Sequence, residues 1–304
     1  GQCGAIVNWV LPTSIDNCNV DSLVSNHQSG DVFPTGITEV VYIAYDPSLN
    51  TDTCRFTISV SDNESPVLTN VPLDITIGND NGNCDAIVNW VPPLAIDNCT
   101  IDSTRSSHNP GDVFQVGTTI VEYITYDSDQ NSDTVNFIIT VEDRELPTIN
   151  CPSDTVICSS IFTYTSPLGL DNCSVQSVVQ TDGIASGGTY PVGTTINKFI
   201  ITDIHGNIDS CSFTVTRDAE PTIANAGIDT NICTTDYPLS GNVAQIGMGE
   251  WSTLTAGASF VDATLASTEV DGVERGENTL IWTISNGVCP SSRDTVIVTY
   301  DEEP

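Results

Sequence analysis

Acidic side chains dominate the chemistry this chain could perform. Its 304 residues carry 40 Asp and Glu against 7 Lys and Arg, a formal net charge of -33. The acids recur in three kinds of cluster. One is an Asp-x-Glu pair beside a proline, at Asp62 and Glu64 and again at Asp143 and Glu145. A second is the acid of an Asp-Asn-Cys triplet, Asp16, Asp97 or Asp171. The third is a polar run with alternating oxygen-bearing side chains: Asp46, Asn50 and Asp52; Asp127, Asp129, Asn131 and Asp133; Asp203, Asn207 and Asp209. Alternating oxygens in a tight turn suit a hard cation, and Ca2+ is the one cofactor they suggest. The glycine and closing glutamate of a helical calcium loop are missing, so that motif is excluded. For any single residue, turn capping by Asp or Asn is the competing explanation. It is the recurrence of the whole set that points to Ca2+.

Cysteine is the other reactive residue type. Eleven are present, without the CxxC or His-rich spacing of a zinc or iron–sulfur site. Disulfides in an oxidising compartment fit better. The pairs Cys3–Cys18, Cys84–Cys99 and Cys158–Cys173 share a separation of 15 residues and are expected to be bonded. Cys151–Cys211 is expected as a second staple in the same stretch. Val71 and Val135 replace both of its members together in the preceding repeat. Cys233–Cys289 is the expected staple of the last part. Cys54 remains and aligns with Cys211, so its partner is expected on an upstream strand outside this sequence; a free thiol is the alternative.

Catalysis finds little support. His27 and His108 occupy matching positions near polar turns, and His205 lies in one acidic run with no counterpart. No nucleophile elbow, phosphate loop or HExxH occurs. Carboxylate pairs recur with the repeat, whereas a catalytic pair would more often be unique. Trp9 and Trp90 follow strand alternation into a core. Trp251 and Trp282 read the same way, with an exposed sugar platform as the alternative.

These residues must be positioned by a repeated unit. Cys3-Gly-Ala-Ile-Val-Asn-Trp9 returns as Cys84-Asp-Ala-Ile-Val-Asn-Trp90, and Gly30-Asp-Val-Phe33 as Gly111-Asp-Val-Phe114. The acids Asp62, Asp143, Asp218 and Asp301 of successive proline-tipped junctions lie 81, 75 and 83 residues apart. Four modules follow: 1–63, expected to lack its first strand, 64–144, 145–219, and 220–304 with its following linker. Both ends read as cuts through a longer array. In the second module, short strands are predicted at 73–77, 86–90, 101–106, 114–115, 120–125 and 134–141, parted by turn residues. No helical periodicity competes. The fold class is therefore all-β, with tandem immunoglobulin-like β-sandwich modules in an elongated array.

In such a sandwich the loop after the second strand and the loop before the last share one end, which also receives the incoming linker. Asp62 and Glu64 should then meet Asp97 and the 127–133 loop. Asp143 and Glu145 should meet Asp171, Asp203 and Asn207. The last module has no Asp-Asn-Cys, so the junction at Asp218 and Glu220 is expected to be metal-free.

The first three modules resemble the hyalin repeat (HYR) family. The matching elements are Asn150-Cys-Pro-Ser-Asp154, Leu170-Asp-Asn-Cys173, Tyr190-Pro-Val-Gly-Thr-Thr195, Thr202-Asp-Ile-His-Gly-Asn207 and Cys211-Ser-Phe-Thr-Val215. In the last module Ala224-Asn-Ala-Gly-Ile-Asp229, Gly249-Glu-Trp251 and Ser285-Asn-Gly-Val-Cys289 resemble PKD-like repeats of large Bacteroidota surface proteins. The resemblances imply an extracellular place at the cell surface or in a filament. They imply a structural stalk or, alternatively, an adhesin that binds glycan or protein directly. The partners expected are neighbouring modules of one longer chain and identical chains in a bundle. So acidic a chain repels nucleic acid, and no apolar run is long enough to insert in a membrane.

Overall fold

The computed structural model describes residues 1–301; the expected linker at 302–304 lies outside them. Every regular element among them is a β-strand. Contacts divide the chain into two compact units, Gly1–Arg144 and Glu145 onward, and each contains two sandwich modules.

Module two shows the plan. Ile101–Ser106, Gly117–Asp127, Ser132–Glu142 and Ile75–Gly78 form a four-stranded sheet in that order. Ile75–Gly78 runs parallel to Ser132–Glu142 with Ile139 opposite Ile75, and the remaining pairs are antiparallel. Two short pairs cover the other face. Val113–Gln115 pairs with Asp85–Ile87, and Val67–Thr69 pairs with Leu94–Ile96. Val67–Thr69 and Leu94–Ile96 are too short to show a period of two in sequence.

Alternation places Val121, Tyr123, Phe137, Ile139 and Val141 inward, where they meet Ala86, Val88 and Phe114 in one core. Trp90 lies edge-on to Phe114 and Phe137 and donates Nε1–H to the Tyr123 hydroxyl at 2.9 Å. Module one repeats this with Trp9 and Tyr42, also at 2.9 Å.

Module one has the three-stranded sheet Ser22–Ser25, Gly36–Tyr45 and Thr51–Val60. Module three orders Thr155–Ile157, Ile208–Arg217, Gly193–Asp203 and Val175–Asp182. Module four orders Thr230–Ile232, Ser292–Tyr300, Gly276–Ser285 and Met248–Thr253. Both have the parallel first-to-last strand pairing. Trp251 and Trp282 are 2% and 1% exposed and lie against each other in the core of module four, so they form no surface platform.

The disulfides correct the expected pairing. Cys3 bonds Cys99, and Cys158 bonds Cys289. Cys84 and Cys173 are also oxidised. Cys18, Cys54 and Cys233 are free and exposed. The pairs Cys3–Cys18, Cys84–Cys99, Cys158–Cys173 and Cys233–Cys289 are therefore absent. Sheet register explains why. Cys158 follows the strand whose Ile157 faces Arg217, at the Gly193 end of Gly193–Asp203. Cys173 precedes Val175, which faces Asp203 at the other end. Ten strand residues span about 33 Å, far beyond the roughly 7 Å Cα limit of a disulfide. Cys233 and Cys289 are split likewise, because Ile232 faces Tyr300 while Cys289 precedes Ser292 at the opposite end. Cys3 and Cys158 each reach instead a cysteine of the following module. Cα separations are 4.7 Å for Cys3–Cys99 and 4.9 Å for Cys158–Cys289. Cys151 bonds Cys211 within module three. Cys54, opposite Tyr42 in its sheet, has no bonded partner.

Candidate metal centre at a module junction

The acids divide by what their oxygens already do. Asp127 is fully buried. It accepts the backbone N–H of Asn131 at 2.8 Å and the Asn131 amide at 2.7 Å. Asp46 with Asn50 and Asp203 with Asn207 repeat this arrangement. Asn in this loop is thus the donor that satisfies the Asp, and the pair closes a turn. In Asp46 the Asn50 amide holds the carboxyl below the usual carboxylate range. Burial opposes ionisation of Asp203, yet the Asn207 amide and the N–H groups of Asn207, His205 and Gly206 outweigh it and lower its pKa.

Asp133 is occupied as well, accepting from the Leu68 and Thr134 N–H groups at 2.9 Å each. Asp52 and Asp209 accept from Thr53 and Ser210. Asp74, Asp154 and Asp229, which belong to none of the three acidic clusters, each accept an N–H of the last strand, from Ile138, Thr214 and Ile297. They buttress the parallel strand pair in three modules.

Asp62 and Asp97 differ. Asp62 is 8% exposed. Its Oδ1 accepts the Glu64 N–H at 3.1 Å, but its Oδ2 is buried without a partner. Asp97 Oδ2 accepts the Cys99 N–H at 2.9 Å, and its Oδ1 is likewise buried and unpartnered. A carboxylate oxygen from each lies within 4.8 Å of the other and of Cys99 Sγ. Asn98 Oδ1, beside them in the chain, is a third unpartnered buried oxygen. Asp129 accepts the Asp62 N–H, and Asn131 donates to the Asp62 carbonyl at 3.0 Å, so the 127–133 loop holds the linker in place. Two ionised carboxylates no more than 4.8 Å apart repel by about 3.5 kcal/mol at an effective dielectric of about 20. Arg55 and Arg144 pair with Glu39 and Glu142. A cation between Asp62 and Asp97 fits this donor set: hard oxygens, buried, and lacking hydrogen-bond donors.

Glu64 is not in the cluster; its carboxylate is exposed. Asp16 makes the same turn to Cys18 as Asp97 makes to Cys99 but is exposed. It shares a depression with Asp46, Asn50, Asp52 and Cys54. Asp143, next to last in the first unit, is 9% exposed, and Glu145 opens the second unit. Within that second unit, oxygens of Asp171 and Asp203 lie within 4.8 Å, and Asp171 Oδ2 is buried and unpartnered. At the last junction, Asp218 Oδ2 accepts the Val288 N–H at 3.0 Å, and Asn286 donates to the Ala219 carbonyl at 2.8 Å. One backbone donor there reaches the carboxylate.

Fold and junctions define a tandem array of immunoglobulin-like β-sandwich modules linked by disulfides. The chain belongs to the HYR domain family, whose model matches residues 1–60, 61–141 and 142–217. Hyalin of Strongylocentrotus purpuratus is 32% identical over 237 residues, 73% of this chain and 20% of that protein. Hyalin of Lytechinus variegatus is 35% identical over 230 residues, 71% of this chain and 43% of that protein. The chain thus spans less than half of either relative. These relatives are animal proteins, unlike the bacterial phylum that the resemblance of the last module implies. Among solved structures, a protocadherin gammaB7 EC3-6 cis-dimer aligns over 90% of this chain and 89% of its own, with 12% identity and a TM-score of 0.37. Drosophila N-cadherin EC1-4 aligns over 94% and 90%, with 13% identity and a TM-score of 0.30.

Proposed function

We propose that this chain is a structural segment of an extracellular, adhesion-related repeat protein. In this reading it serves as a stalk or filament segment, its junctions fixed by disulfides and stiffened by Ca2+, and it is not an enzyme. The observation that carries the reading is the placement of the staples. Cys3–Cys99 and Cys158–Cys289 join successive modules, so oxidation is spent on inter-module geometry. Family membership supports the extracellular setting, as do the eight oxidised cysteines. The unpartnered buried oxygens of Asp62 and Asp97 support Ca2+ at the first junction, and the missing Asp-Asn-Cys triplet of the last module supports a metal-free last one. The partners this implies are neighbouring modules of a longer chain and identical chains beside it. The module bounds proposed are 1–63, 64–144, 145–219 and 220–304.

Small-angle scattering and calorimetric melting test the proposal, with millimolar Ca2+, with chelator, and after reduction. Ca2+ is expected to raise the melting temperature, and reduction to broaden the distance distribution. Equal curves with Ca2+ and chelator would refute the metal. Unchanged scattering after reduction would refute covalent stiffening.

A further inference from the structure

We infer that the Asp62–Asp97 cation site and the Cys3–Cys99 disulfide form one coupled device, in which the disulfide sets the affinity for a hard divalent cation and the cation protects the disulfide from reduction. The inference rests on the Ca2+ reading above and adds its regulation.

The two features touch. Cys99 Sγ lies within 4.8 Å of a carboxylate oxygen of both acids, and the Cys99 N–H orients Asp97 at 2.9 Å. They also join the same two bodies. Asp62 lies on the linker leaving module one, and Asp97 on a loop of module two. Cys3 lies at the lower end of module one, and Cys99 on that same loop. On the linker side, Asp62 is held by Asp129 and Asn131. On the other side, the Asp97 loop is tied to module one by the disulfide. With the bond closed, both carboxylates are held before the ion arrives. With the bond open, the Asp97 loop loses its tie to module one, and the ion must order that loop against the linker that Asp129 and Asn131 hold. The affinity falls by whatever that ordering costs. Linkage makes the effect reciprocal: the factor by which oxidation tightens the ion is the factor by which the ion disfavours reduction.

A cation would satisfy the unpartnered oxygens of both acids. Asp62 is more than nine-tenths buried with one oxygen unpartnered, and Asp97 adds a second such oxygen.

The test uses the full chain, with Ca2+ titrated by calorimetry. Asp97→Asn and Asp62→Asn should each remove one equivalent of bound Ca2+, whereas Asp16→Asn should remove none. Cys3→Ser with Cys99→Ser should keep that equivalent but weaken it at least tenfold. In the unsubstituted chain, mass spectrometry would follow reduction of Cys3–Cys99 by a graded thiol. Saturating Ca2+ should shift the reduction equilibrium at least tenfold relative to chelator. If the double cysteine variant binds that equivalent as tightly as the parent, and Ca2+ leaves reduction unshifted, the coupling is refuted while the Ca2+ reading stands. If neither acid variant loses an equivalent, the site is refuted. A parent chain that binds no Ca2+ refutes both readings. The reduction measurement needs no variant, so misfolding of a mutant cannot shelter the inference.

Discussion

Breaking Cys158–Cys289 should uncouple the unfolding of modules three and four, and the size of the effect follows from the folded geometry. The two cysteines are 131 residues apart, but the loop that matters is shorter. Cys289 Sγ lies 3.7 Å from the Asp218 carbonyl at the junction that leads into module four. When module three opens alone, the staple closes the path from Cys158 back to Asp218. Cys151–Cys211 shortens that path to roughly 15 residues, worth about 3 kcal/mol on the chain-entropy account. When module four opens alone, the loop from Asp218 to Cys289 is roughly 70 residues, worth about 4.4 kcal/mol. When both open, one loop of roughly 85 residues contributes only about 4.6 kcal/mol. The staple therefore favours joint opening by about 3 kcal/mol, a factor above a hundred. Native-state hydrogen exchange, resolved by module, reads this directly. In the parent chain, strands Gly193–Asp203 and Gly276–Ser285 should exchange through a common opening. In the Cys158→Ser/Cys289→Ser chain they should open separately, module three weakened by about 3 kcal/mol and module four by about 4. Opening energies that change by less than about 1 kcal/mol in both modules would refute the argument.

Three further outcomes are expected. Tyr123→Phe leaves the Trp90 Nε1–H without its acceptor and should cost module two about 1 kcal/mol, or roughly 4–8 °C in its melting midpoint. Asp133→Ala removes the acceptor of two backbone donors and should cost about 2 kcal/mol with Ca2+ stoichiometry unchanged, which calorimetry would check. Asp46 has its carboxyl pKa lowered by the Asn50 amide, so its contribution is present above the unfolded value of about 3.9 and is lost as pH falls through the lower folded value. Module one should therefore melt at constant temperature above about pH 5 and lose stability below about pH 4, and Asp46→Asn should blunt that acid limb.

The fold class and the family repeat were legible because strand alternation and repeated motifs are local. Disulfide connectivity was legible only for Cys151–Cys211. A bond between equivalent positions in one module, or in successive modules, leaves the same periodic pattern of cysteines. The separation of 15 residues from Cys158 to Cys173 thus said nothing about partners; only the register, with Ile157 at one end of the sheet and Val175 at the other, separates them. The third acidic run misled for a related reason. Alternating Asp and Asn suit a cation, but they suit each other equally when an amide reaches back to a carboxylate, as Asn131 does to Asp127. The oxygens left over, on Asp62 and Asp97, stand out only once every donor has been assigned. Asn98 went unnoticed because its neighbours in the Asp-Asn-Cys triplet carried the obvious chemistry.

The staples also set how the protein answers tension. A pull transmitted along the chain passes from Cys158 to Cys289 through one covalent crosslink, while the 131 residues of contour between them stay slack. Cys3–Cys99 shields a further 96 in the same way. At about 3.4 Å per residue these segments hide roughly 450 Å and 330 Å of length. Strands may part inside either loop without lengthening the tether, so its reach depends on sulfur chemistry rather than on the strength of any one module.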